Sequence, residues 1–163
     1  MVAQCEIKQE VTLAAFSAAK KRDCVTILNP APYQPLSKEL LAVTDWIIPN
    51  ETEFKELHGQ APTSDDVLMS FRPGKNSIVT FGSEGAVLIT SDGDLTRVSA
   101  PTVNPVDTTG AGDAFVGVFA FGLASGKSPE DAMKLGIKVA SMSVTRKGAQ
   151  SSYPSQAEIE TLS

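Results

Sequence analysis

Apolar residues in the first third of the chain recur at two spacings, one helical and one extended. Ile7, Val11, Ala14, Ala15 and Ala18 repeat at helical spacing, and Lys20, Lys21 and Arg22 close the run where cations suit the helix dipole, which predicts an amphipathic helix. Val25 to Leu28 is a short apolar, partly β-branched run that stops at Asn29-Pro30-Ala31-Pro32, the pattern of a buried strand entering a loop. Ser37 is placed to cap a short helix through Ala42, and Asp45-Trp46-Ile47-Ile48 supplies the next strand, cut off by Pro49. A helix between successive strands implies parallel pairing.

The pattern continues with a helix from Asn50 to Leu57 closed by Gly59, and another from Thr63 to Phe71 opened by Thr63 with Asp66 three residues on. Ser77 to Phe81 returns to strand. Ala86 to Thr90 and Leu95 to Val98 flank Ser91-Asp92-Gly93-Asp94 and predict a hairpin that breaks the alternation. The apolar run Ala114 to Ala124 reads as a buried helix. Ser128-Pro129-Glu130-Asp131 opens a last helix to about Thr145, with serine as N-cap and proline at the first helical position. The tail from Gln150 is polar and is expected to fray. No repeat, low-complexity tract or linker interrupts the chain, so residues 1–163 read as a single α/β domain.

Composition narrows the function classes. Of 163 residues, 42% are hydrophobic and 20% charged, enough apolar content for a real core. A net charge of −5 without a Lys/Arg-rich run argues against a nucleic-acid binder and favours a small-molecule enzyme. Cys5, Cys24 and the single His58 support neither a disulfide framework nor a zinc site. Without a leader-like segment or an apolar run near 20 residues, the expectation is a cytoplasmic protein with no membrane partner.

The candidate chemistry concentrates at Asp107-Thr108-Thr109-Gly110-Ala111-Gly112-Asp113, directly before the apolar run. Gly110 and Gly112 permit a tight turn and close ligand approach. A helix starting there presents unpaired N–H groups and a positive dipole end to an anion such as phosphate, with the Asp113 carboxylate beside it. A plain turn into a core helix is the competing reading, but Asp113 is a poor choice for packing. Asn50-Glu51-Thr52-Glu53 follows a strand, at the sheet edge where ligands bind in open α/β folds. Asn50 and Glu53 there suit the water shell of a magnesium ion, and equally suit a capping box. Thr80-Phe81-Gly82-Ser83-Glu84-Gly85 is either a nucleotide loop or an ordinary turn. Gly126-Lys127-Ser128 lacks the Walker spacing, Gly110, Gly112 and Phe115 fail the dinucleotide pattern, and no nucleophile elbow is present. His58 reads as a surface or helix-end residue.

On the segment Asp107 to Asp113 the chain resembles the second signature of the ribokinase or pfkB-type carbohydrate kinases. Asn50-Glu51-Thr52-Glu53 is similar to the family's N-x-x-E motif, Thr80 to Gly85 to its nucleotide loop, and Leu28-Asn29-Pro30-Ala31-Pro32 and Thr145 to Ser152 to the ribokinase branch. The resemblance runs from about Val25 to Pro154 and implies a three-layer α/β/α fold with a largely parallel sheet and a β-hairpin. It implies ATP-dependent phosphorylation of a sugar's primary hydroxyl, D-ribose before fructose or a nucleoside. Asp113 would be the base, and the N–H groups of Gly110, Ala111, Gly112 and Asp113 an anion hole. ATP and magnesium would be met by Asn50, Glu53, Thr80, Gly82, Ser83, Gly85 and Gly112. A monovalent cation, usually potassium, would sit near Asp107, Thr109, Ser143, Arg146, Gly148 and Ser152.

Two departures accompany the resemblance. Where relatives often carry Asn or His near adenine, this chain has Gly136, Ile137 and Lys138. Family members are also about twice as long, and their first half supplies the sugar pocket and lid, so this sequence is expected to represent the second half alone. A non-catalytic nucleotide-binding or regulatory half-domain is the alternative. The isolated chain is expected to phosphorylate ribose poorly and to associate with itself or with a complementary N-terminal half; robust ribose turnover by a clean monomer in light scattering would contradict both expectations.

Overall fold

The computed structural model describes residues 1–71 and 75–161. The chain forms two compact units, one of Met1–Phe81 with Val87–Thr96, the other of Gly82–Ala86 with the chain from Arg97 onward. The first unit alternates strands and helices: β1 (Val2–Gln4), α1 (Gln9–Lys20), β2 (Ile27–Asn29), α2 (Lys38–Ala42), β3 (Trp46–Ile47), α3 (Glu51–His58), α4 (Asp65–Ser70) and β4 (Asn76–Thr80). Strands β5 (Ala86–Ile89) and β6 (Leu95–Val98) complete a six-stranded sheet of order β1-β2-β3-β4-β5-β6. Pairs β1/β2, β2/β3 and β3/β4 are parallel, as helical crossovers require.

The core of the first unit gathers Phe16, Leu28, Leu40, Ile47, Phe54, Leu68, Phe71, Val79, Val87 and Ile89. The alternate strand positions Ile27, Trp46, Ile78 and Leu88 are buried as well, which is why these strands read as continuous apolar runs. Register at the carboxyl edge is held by a polar chain: Gln4 Nε2 donates to Asn29 Oδ1 at 2.8 Å, and Asn29 Nδ2 donates to the Ile48 carbonyl at 2.8 Å. The hairpin turn forms as expected, with the Thr90 N–H donating to the Asp94 carbonyl.

Several expectations are corrected. Helix α1 buries Thr12, Phe16 and Ala19, while Ile7 and Val11 stand 53% and 56% exposed. A phenylalanine outweighs several alanines in buried area, so the face through Phe16 takes the core. The cap of α4 is Ser64, whose hydroxyl accepts from the Val67 N–H, and not Thr63. His58 does end α3 as expected, but it is half-buried against Phe54 and Phe71 and meets Ser70 Oγ at 3.0 Å, so it also ties α3 to α4. The tail does not fray at Gln150. Residues Gln150–Ser152 form a 3-10 turn and Gln156–Glu160 a short helix with a Ser155/Glu158 capping box; the tail's last two residues lie outside the described set.

The second unit is built on α5 (Ala111–Ala124) and α6 (Pro129–Ser143), followed by α7 (Gln156–Glu160). A Cβ on Gly122 would stand 2.7 Å from the Ala132 Cβ, and one on Gly136 3.0 Å from the Phe115 ring. Both glycines therefore let α5 and α6 approach to near backbone contact. Ser128 caps α6 as predicted, its hydroxyl accepting from the Asp131 N–H at 3.1 Å. Cys5 is buried and Cys24 exposed, neither in a disulfide. Among the described residues no helix is long and apolar enough to cross a membrane.

Asp45, at the amino edge of the sheet, ties the first unit together. Its carboxylate accepts from Lys20 Nζ at 2.8 and 2.9 Å, from Lys75 Nζ at 3.2 Å and from the Thr26 N–H at 3.0 Å. Burial pushes this carboxyl up, but the bonds from Lys20, Thr26 and Lys75 outweigh it and hold it at about 2. A depressed carboxylate stabilises the fold above its unfolded value near 3.8 and loses that contribution as pH falls toward 2. Asp45→Asn is expected to cost about 1–2 kcal/mol in urea unfolding at neutral pH, after screening at the two lysines. The difference from the parent should shrink as the titration is carried from about pH 4 toward pH 2.

Candidate active site

Within the first unit the carboxyl edge of the sheet assembles three of the expected residues. Asn50 caps α3: its Oδ1 accepts from the Glu53 N–H at 2.9 Å, while Glu53 Oε2 accepts from the Asn50 N–H at 2.9 Å. Asn50 Nδ2 also donates to Glu53 Oε1 at 3.0 Å. Thr80 ends β4 beside them, bridged to Asn50 in parallel pairing, and its N–H donates to the Pro49 carbonyl at 3.0 Å. The capping box is therefore real, and it does not exhaust the pair's chemistry. Glu53 is only 8% exposed, and burial raises its carboxyl against the pull of the Asn50 hydrogen bonds. A buried carboxylate of this kind is relieved by a cation or its water shell, so the donor set fits magnesium.

After Thr80 the chain passes into the second unit through a 3-10 turn, Gly82–Glu84, with Gly82, Ser83 and Glu84 exposed. The two glycines of this loop differ in kind. Gly82 has φ of +52° and open space around it, which suits close approach of a ligand. Gly85 has φ of +104°, and a Cβ there would stand 2.0 Å from the Val98 carbonyl oxygen. Its requirement is structural: strand β6 passes directly against its backbone.

The rest of the second unit builds the glycine-rich turn. Asp107 holds both flanks, Oδ1 accepting from the Thr109 N–H at 3.0 Å and Oδ2 from the Gly148 N–H at 2.9 Å. Hydrogen bonds from Thr109, then from the Gly148 N–H, hold its carboxyl at about 2, so it stays ionised across the neutral range. Val106 and Asp107 N–H groups both donate to the Val144 carbonyl just beyond α6, at 2.7 and 3.1 Å. Gly110 then takes φ of +78° as the N-cap of α5, without a side-chain cap. Its carbonyl accepts the first helical bond, from the Ala114 N–H, at 2.9 Å. Asp113 lies exposed in the first turn, where the helix dipole favours an anion and the early N–H groups lack helical partners.

The remaining expected cation residues are placed less directly. Ser143 and Ser152 are buried, and their hydroxyls donate to the carbonyls of Ala140 and Ala149 at 2.8 and 2.6 Å. The Arg146 guanidinium pairs with Glu158 of α7. Gly148 and Thr109 meet Asp107 through their N–H groups. The ionised Asp107 fits a monovalent cation by charge, whereas the Arg146 side chain is spent on an ion pair. Among the described residues no three His, Cys, Asp or Glu side chains gather as a metal cluster. Tyr153 was not a sequence candidate; its hydroxyl donates to the Gly110 carbonyl at 3.1 Å, a contact 43 residues distant that no local pattern signals.

Known proteins resemble this chain in sequence and in fold. The profile described as pfkB family carbohydrate kinase matches residues 2–156. A ribokinase of Schizosaccharomyces pombe is 37% identical over 98% of this chain and 53% of its own length. A deoxyribokinase of Salmonella typhi is 41% identical over 95% of this chain and 53% of its own length. Among solved structures, Arabidopsis thaliana ribokinase complexed with ribose and ATP superposes with a TM-score of 0.92 at 32% identity, covering 99% of this chain and 54% of that one. Thermotoga maritima ribokinase gives 0.86 at 37% identity, covering 99% and 55%. The chain thus spans about half the length of the relatives it matches.

Gly110 and Gly112 should respond differently to a methyl group. In Gly110→Ala the left-handed backbone and a Cβ 2.8 Å from the Tyr153 hydroxyl oxygen combine, for an expected loss of about 2 kcal/mol in urea unfolding. Gly112 has open space, so Gly112→Ala should hold or raise stability by up to about 1 kcal/mol. If Gly112→Ala keeps stability yet loses binding of a non-hydrolysable ATP analogue, close ligand approach is what this glycine serves; unchanged binding would refute that role.

Proposed function

Because this chain belongs to the pfkB family of carbohydrate kinases, we propose that it carries the nucleotide and catalytic half of an enzyme that phosphorylates the primary hydroxyl of a sugar, D-ribose in the first instance. The observation that carries the reading is the left-handed Gly110 opening α5 with the exposed Asp113 carboxylate in its first turn. Asp113 takes the proton of the sugar hydroxyl as its oxygen bonds to the γ-phosphorus of ATP. The bond to the β-phosphate oxygen breaks and ADP leaves. The N–H groups of Gly110, Ala111, Gly112 and Asp113 face the charge that develops on the transferred group, the form of stabilisation that dominates such reactions.

Thr80, Gly82 and Ser83 contact the nucleotide in this reading, with Gly85 shaping the loop from behind. Asn50 and Glu53 hold magnesium through its waters, and the ion neutralises phosphate charge when bound. Asp107 attracts a monovalent cation, with Thr109, Ser143, Arg146, Gly148 and Ser152 supplying the surrounding shell, Arg146 by its backbone alone. Charge beside the anion hole keeps the turn in shape.

The sugar itself needs more than this chain. The matched relatives are about twice as long, and among the described residues β1 is paired on one side only. Val2, Ile7, Val11 and Val25 around it are 44–56% exposed. An unpaired edge with apolar neighbours invites a covering partner, and a complementary half of the same fold is the occupant that the length of the relatives favours. A second reading, 2-deoxyribose as substrate, is favoured by the 41% identity to a deoxyribokinase.

Calorimetry with a non-hydrolysable ATP analogue and magnesium should give weak binding, stronger in potassium than in sodium. Residual ADP release dependent on ribose or 2-deoxyribose should fall at least about 100-fold in Asp113→Asn while analogue binding stays within about threefold. Absence of analogue binding under all these salts would reject the kinase reading, and the better of the two sugars decides the substrate.

A further inference from the structure

The geometry points to Tyr153 as a positioning residue for the anion-binding turn: its hydroxyl grips the Gly110 carbonyl from behind and so sets the direction of the first N–H groups of α5. This inference rests on the proposed kinase reading for its purpose, though not for its structural basis. Gly110 carries the turn. Its carbonyl accepts twice, from the Ala114 N–H at 2.9 Å and from Tyr153 Oη at 3.1 Å, so the bond that starts the helix is held in place by the phenol. A Cβ built on Gly110 would lie 2.8 Å from the Tyr153 hydroxyl oxygen and 3.2 Å from Ala149 Cα and Cβ, which shows how closely the segment around 149–153 backs the turn.

The ring of Tyr153 is anchored independently. It packs on the cluster of Ala114, Leu135 and Val139, so the hydroxyl is delivered from a fixed base on α5 and α6. Gly148, five residues earlier, donates its N–H to Asp107 Oδ2. The segment from Gly148 to Tyr153 therefore holds the glycine-rich turn at two points, Asp107 on its entry and Gly110 at the helix start. Both contacts are hydrogen bonds, and a hydrogen bond constrains direction where an apolar contact would not. Burial, then the Asp113 charge, raises the Tyr153 hydroxyl above its ordinary 10. Loss of the hydroxyl would leave the turn's peptide groups freer to rotate, at the point where phosphoryl transfer demands fixed donors.

The test separates positioning from mere packing. In Tyr153→Phe, which keeps the ring, amide exchange at Ala111 and Ala114 should quicken about 5- to 10-fold, the weight of one neutral hydrogen bond, while exchange along α6 stays unchanged. Equal acceleration through α6, or none at Ala111 and Ala114, would overturn the proposal. A second measurement does not depend on that variant. The chain has two tyrosines, so Tyr33→Phe leaves Tyr153 as the one phenol to follow by Raman spectroscopy at neutral pH. Its Fermi doublet should show a phenol donating to a carbonyl; the ratio of a phenol bonded to water alone would refute the arrangement. Neither readout needs catalysis, so failure to bind the ATP analogue would reject the kinase reading while these two measurements still decide the role of Tyr153.

Discussion

One carboxylate accepting two backbone N–H groups decides where the second unit's site lies. Asp107 bonds Thr109 on its own side and Gly148 from a segment 41 residues away. That double acceptance ties the entry of the glycine-rich turn to the segment that follows α6. The chain then turns at Gly110, where the Ala111 N–H donates to the Thr108 carbonyl at 3.3 Å and α5 begins. Ionised acceptors make stronger hydrogen bonds than neutral ones, which is why an aspartate serves here where asparagine would hold less firmly.

The first unit solves a comparable problem with other means. Parallel strands end at one edge, and each end there is used: Gln4 and Asn29 lock neighbouring strands, Asn50 caps α3, and Thr80 lies across from it. The cost of this economy falls on Glu53, a carboxylate buried to complete a cap and raised by that burial. A group that is expensive to ionise alone is inexpensive beside a cation. The capping and metal readings of Asn50 and Glu53 are thus not rivals, since the cap fixes the rotamers that a cation would need.

Glycines in the two candidate loops do different work, and their neighbours tell them apart. Gly85 is excluded from any side chain by the Val98 carbonyl and Gly110 by Tyr153 and Ala149, so both are dictated by the protein's own packing. Gly82 and Gly112 face open space, and of the two only Gly82 holds a left-handed backbone that favours glycine, so at Gly112 neither packing nor backbone asks for one. Counting glycines in a motif would have weighted all four alike.

The sequence by itself determined the alternation of strand and helix, the parallel sheet with its hairpin, the caps at Ser37, Asn50 and Ser128, and the glycine-rich turn before α5, because each follows from spacing or from a side chain acting within four residues of itself. It was misread where two local choices were nearly equal: Thr63 or Ser64 as a cap, and which face of α1 is inward, decided in the end by where Phe16 had a core to enter. The tertiary structure alone decided the long-range bonds. Gly148 to Asp107 and Tyr153 to Gly110 join residues more than 40 apart, and Arg146 turns to Glu158 only because a capped helix follows where the composition suggested a loose tail. Such contacts depend on the packed position of whole elements; the family resemblance groups Asp107 with Gly148, but no period or motif in the chain encodes the bonds of Tyr153 and Arg146.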